Sequence, residues 1–294
     1  MANKAMAVYS PGQLFSNDPP ELAALGYRFL AEGDSWFSLG TLNPAKNSNL
    51  LFEMVFDQSA GAVNCASPGD TLTRMSQMNR DPNFTDLLCG RRARIWDALL
   101  MSCGGNDLID AFGVRGPGVP REQRLLLTPS EWGPESLGAA RYLSDEGWKT
   151  FCTYTRANLD HLVGMRDRGP SKGVPVFMHG YSFPTPRPCG AGPKMGPWLY
   201  PSVEACAVPD DEWIGVAKLL LERLAELLAA CSADTARFPN LHFFNTTTIA
   251  VEPAALGSDG ESGDWVNEIH LTRRGYDKLA RPWSAAIEQT LAQR

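Results

Sequence analysis

The stretch that decides the fold is residues 27–36, YRFLAEGDSW. Residues 27–31 form a short apolar run, which is typical of a buried β-strand. The run stops at a Gly-Asp-Ser turn, so the sequence predicts that Ser35 stands at the end of this strand. A serine displayed there suits a catalytic nucleophile, but a serine that caps a turn or helix is the commoner reason for such a motif. The motif alone does not decide the function.

Four more apolar runs bounded by turn residues predict buried strands, at 62–66, 95–102, 174–179 and 241–245. Helical patterns lie at 148–166, 211–230 and 275–291, and the middle one has an apolar stripe made by Leu219, Leu220, Leu224, Leu227 and Leu228. Strands that alternate with helices predict βαβ units, and hence a mostly parallel sheet covered on both faces. We expect one domain over residues 1–294.

Two stretches, 112–142 and 184–211, are rich in Gly and Pro and are too long for ordinary connections. Each follows the end of a predicted strand, where ligands bind in open α/β sheets, so both are expected near the active site as walls or a lid. Surface decoration and an oligomer contact are the alternatives. Their large apolar side chains either build an acyl-binding wall or pack the insertions onto the domain; these are Trp132, Trp198, Leu199 and Tyr200.

The composition is that of an ordinary globular protein, with 44% hydrophobic and 20% charged residues among 294. The formal net charge of −6 provides no general basic field, so nucleic acid is not an expected partner. The most apolar helical run, 213–231, is interrupted by Lys218, Glu222, Arg223 and Glu226, which excludes a plain membrane span. The N-terminus does not look like a secretion signal, so a cytoplasmic location is predicted, with export by a signal-independent route as the alternative.

The seven cysteines are odd in number and show neither a paired CxxC motif nor a Cys/His cluster with zinc-site spacing. Free thiols in a reducing compartment fit this pattern best, and no metal site is predicted. Each cysteine is expected to act as a small buried apolar residue.

Two further strand ends carry polar, glycine-bearing turns, at residues 64–71 and 102–107. An acyl-transfer site needs preorganised donors aimed at the oxyanion of its tetrahedral intermediate. The backbone N–H of Gly69 and the side-chain amide of Asn106 suit that role. The alternative is turn chemistry, since glycine and asparagine both tolerate positive φ at such corners.

Near the C-terminus the segment 264–272, DWVNEIHLT, precedes the last helical pattern. It holds His270, and an imidazole is a suitable base for a serine nucleophile near neutral pH. Of the other three histidines, His161 and His242 fit structural or surface roles better. His179 ends a strand and is a candidate to line the pocket.

The four segments together resemble the SGNH (GDSL-like) hydrolase family, whose signature serine, glycine, asparagine and histidine match Ser35, Gly69, Asn106 and His270. The resemblance covers the chain from about residue 27 to the last helix and leaves the two insertions unmatched. Gly-Gly-Asn-Asp at 104–107 is the most specific block. The resemblance implies a flavodoxin-like, three-layer α/β/α domain with a mostly parallel five-stranded sheet. It also implies ester cleavage through an acyl-enzyme, with oxyanion donors at Ser35, Gly69 and Asn106 and no cofactor.

One departure concerns the support of the catalytic histidine. The family places an aspartate three residues before it, and this chain has Asn267 there. An asparagine can orient the ring but cannot neutralise the imidazolium charge. Asp264 is therefore the first candidate for a substitute carboxylate and Glu268 the second. A Ser-His dyad, or a chain carbonyl or water accepting the Nδ1 proton, is the alternative.

The resemblance leaves the substrate open among short acyl esters, lipids, acetylated sugars and polyesters. An esterase or lipase is the leading prediction, followed by a carbohydrate O-acetyl esterase. An acyltransferase and a catalytically silent binding module on the same fold are the remaining alternatives. The expected partner is a small-molecule or acylated ester, and the sequence does not indicate an oligomeric state.

Overall fold

The fold is built on a parallel sheet, described by a computed structural model of residues 4–116 and 118–293. In chain order the strands are β1 (Lys4–Ala5), β2 (Ala7–Tyr9), β3 (Tyr27–Gly33), β4 (Val55–Phe56), β5 (Ala60–Asn64), β6 (Ala98–Ser102), β7 (Val176–His179) and β8 (Leu241–Phe244). Six of them form one sheet in the order β2-β5-β3-β6-β7-β8, and all its pairings are parallel. β1 and β4 form a separate antiparallel pair.

All five strands predicted from apolar runs are present, with ends shifted by a few residues. Their order, β5-β3-β6-β7-β8, is the 2-1-3-4-5 order of flavodoxin-like sheets, which confirms the predicted α/β class. The predicted count of five strands was wrong by one. The sixth strand, β2, pairs its three residues with Gly61 to Val63 of β5 at the sheet edge. It is too short to stand out as an apolar run.

The helices cover both faces of the sheet. They are α1 (Leu72–Met75), α2 (Pro82–Cys89), α3 (Gly105–Gly113), α4 (Asp145–Arg168), α5 (Tyr200–Ala205), α6 (Trp213–Ala233) and α7 (Arg273–Leu291). Shorter 3₁₀ turns lie at Pro11–Phe15, Leu22–Ala24, Leu51–Glu53, Arg121–Gln123, Pro129–Glu131, Glu135–Tyr142, Asp210–Glu212 and Thr246–Thr248. The three predicted helices are confirmed as α4, α6 and α7. Ser144 and Thr272 start α4 and α7 by accepting the N–H of Gly147 and Gly275, as N-caps do.

Alternation along β7 shows how the layers form. Val176 and Met178 face α4, where they pack with Leu159 and Leu162. His179 points to the opposite face, and its ring centroid lies 5.1 Å from that of Trp283 on α7. Successive side chains of a strand point to opposite faces, and all four residues of β7 are buried, so both faces of the strand are covered and three of its four residues are apolar. The buried apolar side chains of the two faces belong to one cluster.

The two insertions have different places in the fold. Residues 112–142 pack against the start of α4, and Arg124 Nη2 donates to both carboxylate oxygens of Glu131 at 2.6 and 2.8 Å. Trp132 packs edge-on against Tyr142, with ring centroids 5.0 Å apart. Residues 184–211 carry α5 and lie over the C-terminal edge of the sheet.

Among the described residues, no helix is long and apolar enough to cross a membrane. The seven cysteines are all free thiols, and five of them are buried. That agrees with their expected role as small apolar side chains.

Candidate active site

The site lies at the point where the order of the strands in the sheet reverses. The chain runs from β3 to β5 on one side and then crosses to β6 on the other, so β3 lies at the topological switch point. Ligands bind at such a point, outside the carboxyl ends of the strands. Ser35, Gly69 and Asn106 follow β3, β5 and β6 respectively. The three turns that the sequence singled out therefore meet at one edge.

Ser35 and His270 are in direct contact. The Oγ of Ser35 lies 2.7 Å from Nε2 of His270, although 235 residues separate them in the chain. Both are buried, at 7% and 3% exposure. The indole of Trp36 ties the two segments together, because its Nε1 donates to the carbonyl of Ile269 at 3.1 Å. A serine held at hydrogen-bond distance from a histidine is the arrangement of an activated nucleophile.

Asn267 holds the other side of the imidazole. Its Oδ1 lies 2.8 Å from Nδ1 of His270 and also accepts the backbone N–H groups of Ile269 and His270 at 3.2 and 3.0 Å. Its Nδ2 donates to the carbonyl of Gly40 at 2.8 Å. A flipped amide would set N–H against N–H and oxygen against carbonyl, so the orientation is determined by its partners. Nδ1 must therefore carry the proton, which leaves the lone pair of Nε2 facing Ser35.

The two carboxylates proposed from the sequence to support His270 lie elsewhere. Asp264 is fully buried and binds Arg274 Nε at 2.7 Å and Lys278 Nζ at 2.5 Å, both from α7. Its other partner is the backbone N–H of Glu252 at 2.7 Å. The prediction that Asp264 supports the imidazole is therefore corrected, because the cations of α7 hold its carboxylate on the far side of the loop.

Glu268, the second candidate, holds the insertion at 184–211. Its carboxylate accepts the backbone N–H groups of Leu199 at 2.9 Å, Tyr200 at 2.7 Å and Arg187 at 3.2 Å, and also that of Trp198. It makes no hydrogen bond to the ring of His270. A residue two positions before His270 thus anchors the chain that covers the histidine.

Burial lowers the pKa of His270 to about 3, so its imidazole is neutral at neutral pH. The indole of Trp198 packs edge-on against the ring, with centroids 5.2 Å apart. On another side the backbone of Gly40 approaches so closely that a Cβ there would lie 3.0 Å from the imidazole carbons. Burial thus keeps the ring neutral but makes it a weaker base than a free imidazole, and the imidazolium has no carboxylate partner among the described residues.

Asp34 organises the turn that carries Ser35, a role the sequence did not reveal. Its Oδ2 accepts the hydroxyl of Tyr181 at 2.6 Å, and its Oδ1 accepts Ser102 Oγ at 2.8 Å and the Trp36 N–H at 2.9 Å. Burial raises the pKa of Asp34 to about 6, although these hydrogen bonds oppose the rise. Its two side-chain partners are 68 and 147 residues away, so only folding brings them together.

The predicted oxyanion donors lie on two neighbouring turns. Gly69 has a φ of +82°, in the left-handed region that favours glycine. Asn106 lies in the first turn of α3, and its Nδ2 donates one hydrogen to the carbonyl of Asp70 at 3.1 Å. That bond orients the amide and leaves its second hydrogen available. Within the part of the chain that the structure describes, the N–H groups of Ser35 and Gly69 donate to no other group.

A narrow cavity of about 40 Å³ opens beside Ser35 and Asn106. Its walls are mainly apolar and include Leu108, Leu199 and Leu221. Leu199 comes from the insertion at 184–211, as expected, whereas the described residues of 112–142 contribute nothing to its lining. Residues 122–125 instead line a second cavity together with Thr71, Asp107 and the start of α4, so a role for 112–142 near the active site stays a prediction.

His179 does not line this cavity. It is fully buried between the rings of Trp36, at a centroid distance of 5.7 Å, and Trp283, and its Nδ1 bonds the carbonyl of Gly180 at 2.5 Å. Burial lowers its pKa to about 4. The suggestion that it forms part of the pocket is corrected, since alternation along β7 turns it into the core.

Comparisons with known proteins give structural neighbours only. No family model and no curated protein matches the chain. Similar solved structures include an extracellular lipase from Streptomyces rimosus, with 14% identity, 89% of this chain and 99% of that chain covered, and a TM-score of 0.47. A phospholipase A1 from Streptomyces albidoflavus has 13% identity, 88% and 98% coverage and a TM-score of 0.47. A carbohydrate acetylesterase from Sinorhizobium meliloti has 13% identity, 90% and 99% coverage and a TM-score of 0.47. Identities of 13–14% and TM-scores of 0.47 do not assign a function to this chain.

Proposed function

We propose that this chain is a serine hydrolase of the SGNH type that cleaves carboxylic esters through an acyl-enzyme. One observation carries the proposal: Ser35 Oγ lies 2.7 Å from Nε2 of a buried, neutral His270 whose Nδ1 is held by Asn267. Nucleophile, base and orienting group thus stand in the order that nucleophilic catalysis requires.

The first half of the reaction forms the acyl-enzyme. Nε2 of His270 takes the proton of Ser35 while Oγ bonds to the ester carbonyl carbon. The negative charge that develops on the carbonyl oxygen is stabilised by the N–H groups of Ser35 and Gly69 and by the amide of Asn106. The imidazolium then gives its proton to the departing alkoxide oxygen, and the C–O bond to the alcohol breaks.

The second half repeats these steps with water. Nε2 removes a proton from a water molecule, whose oxygen attacks the acyl carbon. Collapse of the second tetrahedral intermediate breaks the bond to Ser35, and His270 returns the proton to Oγ. The carboxylic acid leaves and the enzyme is restored.

Asn267 takes the place of the usual carboxylate in this mechanism. Its Oδ1 selects the productive tautomer of His270 and offers a carbonyl dipole to the imidazolium. A neutral acceptor makes a weaker hydrogen bond to a cation than a carboxylate does. The proposed site is therefore a Ser-His-Asn triad. The same His-Asn pair supports cysteine nucleophiles in other folds.

The cavity indicates a short acyl group. One water needs about 10–15 Å³ of such space, so 40 Å³ holds roughly three non-hydrogen atoms. An acetyl group, with three non-hydrogen atoms, fits, and a long lipid chain does not enter without movement of Leu199 or its neighbours. We therefore favour a short-chain carboxylesterase over a lipase. An O-acetylated sugar is the second candidate, because its acyl group is equally small.

The proposal is tested with p-nitrophenyl acetate, butyrate and octanoate, using wild type, Ser35→Ala and the exposed control Ser130→Ala. We expect hydrolysis that is fastest for the acetate, that is lost in Ser35→Ala and that is kept in Ser130→Ala. A fluorophosphonate probe should label wild type at Ser35 with one equivalent. Full activity in Ser35→Ala would refute the nucleophile. An inert and unlabelled wild type would indicate a silent binding module.

A further inference from the structure

Three carboxylates meet behind the turn that carries Gly69. Glu32 lies at the end of β3, Asp70 in the turn after β5, and Asp81 at the start of α2. One oxygen from each lies within 4.8 Å of those of the other two. The three residues are far apart in the sequence, and they meet because the C-terminal ends of β3 and β5 are adjacent in the sheet.

Glu32 is the least expected member, since it is fully buried. Its Oε1 accepts the N–H of Gly33 at 2.7 Å, but its Oε2 has no donor among the described residues, and the side chain that Glu32 meets is the carboxyl group of Asp81. Buried carboxylates are normally paired or bound to a metal, because an unpaired one loses its hydration without replacement. Burial, with the charge of Asp81, raises the pKa of Glu32 well above its usual range.

No basic side chain neutralises the cluster by an ion pair in the described part of the chain. Arg74 is near Asp70, but its Nη1 donates to the carbonyl of Gly69 at 3.2 Å. Oδ1 of Asp81, the N-cap of α2, accepts the N–H of Phe84 at 2.9 Å, and its Oδ2 remains available to the cluster. Asp70 is only half-buried and opens the cluster to solvent.

We propose that Glu32, Asp70 and Asp81 bind a hard divalent cation of the Ca²⁺, Mg²⁺ or Mn²⁺ class. Three oxygens that lie within 4.8 Å of one another are close enough to share one ion of the size of Ca²⁺, because bonds of about 2.3–2.6 Å allow its ligands to lie up to about 4.6–5.2 Å apart. Carboxylate donors select these cations over Zn²⁺. Water on the side of Asp70 completes the coordination.

The nearby thiol of Cys65 does not belong to this group, because the ligand atoms that lie within 4.8 Å of one another come from the three carboxylates. The donor set is therefore oxygen.

A cation at this position would stabilise the oxyanion turn. Asp70 directly follows Gly69, and its carbonyl accepts the amide of Asn106 at 3.1 Å. A cation on its carboxylate would hold both donor groups in place. This consequence rests on the proposed esterase function, whereas cation binding itself does not.

The test uses the full chain after treatment with a chelator and dialysis. Calorimetric titration with Ca²⁺, Mg²⁺ and Mn²⁺ should show one site per chain for at least one cation, and the same cation should raise Tm in proportion to the logarithm of its concentration. Glu32→Gln should abolish both effects, and Asp70→Asn should weaken binding at least about tenfold. Asp210→Asn, in the exposed acidic run 210–212, is the matched control and should bind as wild type.

The absence of binding heat and of any Tm change with all three cations at millimolar concentration would overturn the proposal, and so would unchanged binding in Glu32→Gln. Circular dichroism shows whether that variant folds. If it does not, the half-exposed Asp70→Asn decides. Ser35→Ala should bind the cation as wild type does, so failure of the esterase proposal and failure of the cation site give different results.

Discussion

Asn267→Asp places a carboxylate beside His270 in the proposed triad of Ser35, His270 and Asn267, and we expect it to raise activity at pH 8 and to lower stability. The carboxylate would accept the Nδ1 proton of His270 with a charge-assisted bond. Such a bond is roughly twice as strong as a neutral one, or about 1 kcal/mol better, which corresponds to roughly fivefold in kcat at pH 8. It also favours the charged form of His270, whose pKa should rise from about 3.

The same change breaks a buried contact. Nδ2 of Asn267 donates to the carbonyl of Gly40 at 2.8 Å, and in the variant a carboxylate oxygen faces that carbonyl. Leaving a buried acceptor without its donor costs about 1–3 kcal/mol of unfolding free energy. The variant should therefore be faster but less stable at pH 8.

The assay compares kcat/KM for p-nitrophenyl acetate at pH 5 and pH 8, with urea unfolding at both. Wild type should keep its activity at pH 5, because the pKa of His270 lies well below that value. An adjacent carboxylate raises such a pKa by about 1–3 units, so Asn267→Asp should lose a larger fraction of its pH 8 activity at pH 5 than wild type does. Asn49→Asp is the matched control. Asn49 is equally buried, donates to the carbonyl of Ser38 at 3.0 Å and does not touch His270. It should lose stability without changing the pH profile. An unchanged profile in Asn267→Asp would refute the contact between Asn267 and Nδ1.

Three further changes test the surroundings of the site. Tyr181→Phe removes a hydrogen-bond donor to Asp34 and should lower the free energy of unfolding in urea by about 1–3 kcal/mol. The decrease should be larger at pH 8 than at pH 5, because burial raises the pKa of Asp34 to about 6 and its carboxylate becomes protonated in the native state as the pH falls. Leu199→Ala enlarges the apolar cavity, and the ratio of kcat/KM for the butyrate ester to that for the acetate should rise; an unchanged ratio would exclude this cavity as the acyl site. Glu268→Ala leaves four backbone N–H groups of the insertion without their acceptor, so limited proteolysis should cut 184–211 faster than in wild type. Equal rates of cleavage would contradict the anchoring role of Glu268.

The sequence by itself determined the strand pattern, the α/β class and the residues that meet at the sheet edge. Apolar runs and turn residues are local signals, and their order along the chain placed Ser35, Asn106 and His270 on strand ends and a loop. β2 was not predicted, because its three residues make too short an apolar run. These inferences needed no knowledge of what packs against what.

The tertiary structure alone decided how the groups at the site are paired. Asn267 orients His270 because the carbonyl of Gly40, 227 residues away, determines the direction of its amide. Asp264 was the better chemical candidate, but the cations of α7 hold it elsewhere. Glu32 meets Asp70 and Asp81 only because the sheet order puts β3 beside β5. Hydrogen bonds and ion pairs act over about 3 Å, so they depend on which distant segments the fold brings into contact, and a pattern read along the chain does not contain that information.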